Sequence, residues 1–101
     1  MWAPVLLRAA EDDFFRIYRK LESHQSGLGE AFSDALDTSL TLLSRHPHLE
    51  RKHGDSIRRY VLHRFSLGIY YRVEKDRLMI CRILDLRQSP RQTDRDLEGF
   101  S

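Results

Sequence analysis

The spacing of apolar residues changes once along this chain, at Pro47, and that change limits what it can fold into. Before the proline, apolar side chains recur every three or four positions: Ala10, Phe14, Ile17, Tyr18 and Leu21, then Leu28, Phe32, Ala35, Leu36, Leu40 and Leu43. That period places each set along one side of an α-helix. After the proline the pattern alternates. Ile57, Arg59, Val61, His63 and Phe65 interleave with Arg58, Tyr60, Leu62 and Arg64, and residues 67–74 alternate likewise. Residues 78–87 are richer in apolar residues throughout, as in a strand covered on both sides. A helical half followed by a strand half makes an α+β domain.

The connections fix the order of these elements. Val5-Leu6-Leu7-Arg8, just after Pro4, reads as a short first or edge strand. Ser23-His24-Gln25-Ser26-Gly27 is a turn, so the two helices pack as an antiparallel hairpin. Ser66 and Glu74-Lys75-Asp76-Arg77 are tight connections that join three strands into an antiparallel meander. The expected architecture is β-α-α-β-β-β, with the helical hairpin on one face of a small twisted antiparallel sheet. One domain spans residues 1–101, with a structured core at about 4–90 and a surface tail at 91–101, where no apolar face is visible. Glu11, Asp12 and Asp13 fall in the first turn of the first helix, where negative charge suits the helix dipole.

Apolar runs such as Val5-Leu6-Leu7 fall far short of the roughly 20 residues that cross a bilayer. Cys81 is the only cysteine. Without an internal disulfide, and without the charged and apolar pattern of a secretory leader at Met1-Trp2-Ala3-Pro4, the chain suits a reducing cytoplasm.

Charge is divided unevenly. Residues 1–50 hold five Lys/Arg against eight Asp/Glu, a balance of −3, whereas residues 51–101 hold twelve against seven, a balance of +5. Ten of those twelve cations are arginine, whose planar fork matches carboxylate and phosphate. The second half is therefore expected to face an anionic partner, either nucleic acid or an acidic protein segment. His46, His48 and His53 lie in the polar loop from His46 to Asp55, but no cysteine or clustered acid accompanies them to complete a metal site. A solvated loop is the expectation, with no metal and no cofactor.

Several stretches together resemble one family. They are Ala10-x-x-Asp13-Phe14-x-x-Ile17-Tyr18, then Gly29-x-x-Phe32-x-x-x-Leu36-x-x-x-Leu40-x-x-Leu43-x-x-x-Pro47. Ile57-Arg58-Arg59-Tyr60-x-Leu62-x-Arg64-Phe65, Ile69-Tyr70-Tyr71-Arg72-Val73 and Ile83-Leu84-Asp85-Leu86-Arg87-Gln88-Ser89-Pro90 complete the set. In order and spacing these resemble the RelE/ParE superfamily of bacterial type II toxin–antitoxin toxins, closer to its ParE branch. The resemblance implies a plasmid-stabilisation toxin that inhibits DNA gyrase by protein–protein contact and is neutralised by a cognate antitoxin. The other branch implies a ribosome-dependent mRNA endoribonuclease, and an inactive toxin-like binding module is the third alternative.

Cleavage at a 2′-OH needs a proton acceptor and cations around the phosphate. Where the RelE pattern has an arginine on the middle strand, this chain has Gly68. Its carboxyl-terminal tyrosine falls near Thr93, and its last arginine matches Arg87. His63 is the remaining strand histidine by alternation, so a nuclease reading would rest on Arg87, Arg59 and His63. Many ParE members carry Phe-Pro-Tyr at Phe65-Ser66-Leu67 and histidine at Asp85, which here is placed to pair with Arg87. The expected partner-binding residues are Arg58, Arg59, Arg72, Arg82 and Arg87, with Arg58 and Arg59 on opposite faces.

Overall fold

The computed structural model describes residues 3–52 and 56–100. Its elements are β1 (Ala3–Leu6), α1 (Arg8–His24), α2 (Leu28–Arg45), β2 (Ile57–Leu62), β3 (Leu67–Glu74), β4 (Arg77–Asp85) and α3 (Pro90–Asp96). The first six follow the expected β-α-α-β-β-β order.

The hairpin of α1 and α2 closes at Gly27, whose φ of 90° lies in the left-handed region that glycine enters without strain. Glu22 of α1 then caps α2: its carboxylate accepts hydrogen bonds from Gly27 N (3.0 Å) and Gly29 N (2.9 Å). Two of the helix's otherwise unpaired N–H groups are satisfied in this way. Phe14 stacks on Phe32 with ring centroids 5.5 Å apart, locking the helices side by side.

The strand order is β1-β4-β3-β2, with β1 parallel to β4 and the other pairs antiparallel. The helices bury Ile17, Phe32, Leu36, Leu40 and Leu43 against Leu67, Ile69, Tyr71, Leu78, Ile80 and Ile83. A register shift between Tyr70 and Tyr71 leaves Cys81 between the paired residues Ile80 and Arg82. This bulge lets Ile80 and Ile83, three positions apart, reach the same core.

Three expectations need correction. The second strand ends at Leu62, and His63–Phe65 form one turn of 3₁₀ helix before Ser66, whose φ is 54°. His63 is thus an exposed turn residue rather than a strand residue. Asp13 is more than a helix-end charge, because it is 3% exposed and accepts from Ile83 N at 3.0 Å. That N–H lies beyond the Ala3–Leu6 pairing, so the carboxylate supplies the partner that β1 no longer provides.

The third correction concerns the end of the chain. Residues 90–96 form α3 instead of an open tail, capped by Ser89 Oγ, which accepts from Gln92 N at 3.1 Å, with Pro90 in the first turn. Ile57, Tyr70, Leu84 and Leu97 make a second apolar cluster with Phe100 packed against it. The sheet is therefore covered on both faces, by the hairpin on one side and by residues 90–100 on part of the other. Tyr70 leans over Gly68, where an added Cβ would sit 2.9 Å from its ring.

Candidate functional site

The five candidate arginines do not converge. Arg59, Tyr70 and Arg82 are successive partners across the sheet, so Arg59 and Arg82 share the α3 side with Arg72. Arg58 lies on the hairpin side, and Arg87 lies past the end of β4.

Most of them hold the fold together. Arg82 grips Asp13 through two bonds, Nε to Oδ2 at 2.7 Å and Nη2 to Oδ1 at 3.0 Å, and donates from Nη1 to the Asp96 carbonyl at 3.1 Å. The bond to Asp13 is also the main cause that raises the Arg82 pKa above its ordinary value. Arg72 pairs with Glu74 and donates to the Phe100 carbonyl, tying the end of the described chain to β3. Arg58 donates to the Glu50 carbonyl and contacts His48 Nδ1 at 3.2 Å, anchoring the loop that leads into β2. Arg59 remains exposed beside a small hollow of about 150 Å³.

Arg87 stands in different surroundings. It borders a cleft of about 390 Å³ at the turn end of the hairpin, where His24 and Leu28 line it. From α1, Ile17 and Leu21 supply apolar floor while Arg16, Lys20 and His24 stand along the rim. Their spacing of four residues aligns the three on one helical stripe. The turn after β2 adds Arg64 and Phe65, with the Arg64 guanidinium 5.1 Å from the Phe65 ring centre. Lys20, His24 and Arg64 are exposed. Sequence reasoning passed over Arg16, Lys20, His24 and Arg64, although the i, i+4, i+8 stripe on α1 was there to be found.

One carboxylate sits among these cations. Asp85 binds Arg87 fork to fork, at 3.0 Å from Nε and 2.9 Å from Nη2, and accepts from the Arg87 backbone N–H at 2.7 Å. The Arg87 side-chain bond is the largest cause that lowers the Asp85 pKa, with Lys20 adding a weaker pull. Folded Asp85 is thus more acidic than unfolded Asp85. The sign follows: its contribution is complete above the ordinary carboxylate range and is lost as pH falls through the lowered folded value. Carbon-detected NMR titration should place its midpoint below 3.8, and Arg87→Ala should move it back up toward that value.

Positions that matter for nuclease chemistry carry other duties. Gly68 is enclosed by Tyr70 and Leu86. Thr93 is buried, and its hydroxyl accepts from Gln88 Nε2 at 3.0 Å. His63 is not among the residues that line the Arg87 cleft. Of the histidine loop, His46 and His48 are exposed, and His53 lies outside the described residues. Among the described residues, no three His, Cys, Asp or Glu side chains converge to hold a metal, and no helix is long and apolar enough to cross a membrane.

A helical hairpin on a mixed four-stranded sheet is also the architecture of a solved protein titled as a chromosomal ParDE toxin–antitoxin system from P. aeruginosa. The two superpose with a TM-score of 0.64 at 17% identity, over 86% of this chain and 98% of the other. No curated protein sequence matches the chain. The family model for the ParE toxin of the type II toxin–antitoxin system parDE matches residues 5–90. The chain belongs to the ParE toxin family.

Proposed function

We propose that this ParE-family toxin acts in the cytoplasm by non-covalent contact with DNA gyrase and is neutralised by a cognate antitoxin. The family match over residues 5–90 carries the reading. The architecture shared with a protein from a ParDE system supports an antitoxin partner. The side chains support contact rather than cleavage. Neither Gly68 nor the Thr93 hydroxyl is a proton acceptor near neutral pH, and the Arg87 guanidinium is already engaged by Asp85. Arg59 and the cationic rim around Arg87 supply exposed charge for a protein surface.

The test is induced expression with DNA synthesis and protein synthesis followed separately, alongside plasmid supercoiling by purified gyrase. Replication should stop while translation continues, supercoiling should fall, and co-expression of an acidic-tailed protein from the adjacent reading frame should restore growth. An arrest of translation alone, with mRNA fragments that vanish in Arg87→Ala, would replace this reading with the ribosome-dependent nuclease.

A further inference from the structure

β2 is an outer strand of the sheet, and the loop that leads into it folds back along its free edge. Lys52 forms an antiparallel bridge with Arg58, which sets Arg51 opposite Arg59 one step further on. Directly opposite residues point to the same face, with Cβ atoms about 4.5–5.5 Å apart. Arg51 and Arg59 accordingly line one hollow of about 480 Å³, joined there by Lys52. All three are exposed, and among the described residues none of their side chains has a hydrogen-bond or ion-pair partner. Glu50 is the one carboxylate in the lining. Like charges directly opposite on a sheet are destabilising. The arginine pair is therefore a cost that the fold alone does not repay.

We propose that Arg51, Lys52 and Arg59 form a phosphate-binding edge for duplex DNA. The inference rests on the gyrase reading and deepens it, because it adds direct contact with the DNA that gyrase holds. The site is built in advance. Arg58 donates to the Glu50 carbonyl and Lys52 is bridged to β2, so Arg51 lies between two fixed points. An anion between the two guanidinium groups removes their repulsion and accepts charge-assisted hydrogen bonds from both. A duplex carries one negative charge per about 1.7 Å of its axis, already in a rigid array, so three cations are engaged together. A flexible acidic peptide must first be ordered, which subtracts from its affinity. Single-stranded nucleic acid is held in part by stacking its bases on aromatic rings. Among the described residues that line this hollow, none is aromatic.

The probe is a fluorescein-labelled DNA duplex of about 20 base pairs, titrated with the purified full chain by fluorescence anisotropy from about 50 to 200 mM salt. Its controls are a single-stranded RNA of the same length and polyglutamate. Affinity for the duplex should fall steeply as salt rises. Arg51→Gln combined with Arg59→Gln should weaken binding by about ten-fold at low salt and flatten the slope of log K against log salt by about 1.8, the share of two phosphate contacts. Glutamine keeps most of the side-chain length and removes the charge. Because the two arginines repel each other, the double variant should melt no lower than the parent, an outcome that a structural role would reverse.

An unchanged salt slope in the double variant, tighter binding of the RNA or of polyglutamate, or a melting midpoint lowered by more than about 4 °C would each overturn the site. Inhibition of supercoiling is read separately with purified gyrase. A chain that inhibits gyrase yet ignores the duplex loses the DNA edge and keeps the gyrase reading. One that binds the duplex as stated and leaves supercoiling untouched keeps the edge and loses that reading.

Discussion

Asp13→Ala is expected to cost about 3–5 kcal/mol, enough to remove much of the stability of a domain this size. The carboxylate is nearly inaccessible and accepts from Arg82, Arg16 and Ile83 N. Truncation leaves the partly buried Arg82 guanidinium with only the longer 3.9 Å pairing to Asp96 and the Ile83 N–H without an acceptor. Removing one member of such a pair costs far more than the intact pair contributes. At about 4–8 °C per kcal/mol, the midpoint of thermal unfolding should drop by about 12–40 °C, followed by circular dichroism. Asp13→Asn should cost less because its amide oxygen still accepts from Ile83 N. Pairing Asp13→Leu with Arg82→Met should recover part of the loss, since no charge is then left buried alone. A melt of Asp13→Ala within a few degrees of the parent would refute the assignment.

A chain ending at Ser89 is expected to self-associate. Residues 90–100 bring Leu97 and Phe100 onto Ile57, Tyr70 and Leu84, and they return carbonyls to Arg72 and Arg82. Losing Leu97 alone should cost about 2–5 kcal/mol, the range for deleting a buried leucine side chain. The shortened chain also presents a contiguous apolar patch on a sheet, a surface that seeks another copy. Size-exclusion chromatography should show concentration-dependent oligomers, and a hydrophobic dye should fluoresce more brightly than with the parent. A stable monomer with unchanged dye binding would mean that the covering segment is dispensable.

The order of the first six elements was legible because their periods are unambiguous: Phe32, Leu36, Leu40 and Leu43 admit only a helix face, and residues 67–74 only a strand. What escaped was short or conditional. α3 has seven residues and shows no apolar stripe, because one side chain, Leu97, just past its end, does most of the burial. The Ser89-Pro90 start signal was nonetheless in plain view. His63 continues the alternation of β2 perfectly, and only the tertiary path ends that strand at Leu62, three residues before Phe65.

The arginines illustrate the same limit more sharply. Strand alternation assigns Arg58 and Arg59 to opposite faces correctly, yet it says nothing about which guanidinium groups are consumed internally. Arg82 finds Asp13 across 69 positions of chain, a pairing no local pattern announces. Asp85 and Arg87, two positions apart, were close enough for their pairing to be read directly from the sequence.

The sheet order carries a consequence for synthesis. β4 is the strand shared by β1 and β3, and it is also the last of the four to be made. Ala3 must wait for Arg77 to leave the ribosome before it has a backbone partner. Until then the helix pair and the ribbon of β2 and β3 lack the strand that joins β1 to the sheet. A molecule assembled in this order completes its sheet, and with it the cleft beside Arg87, only once the last strand has docked.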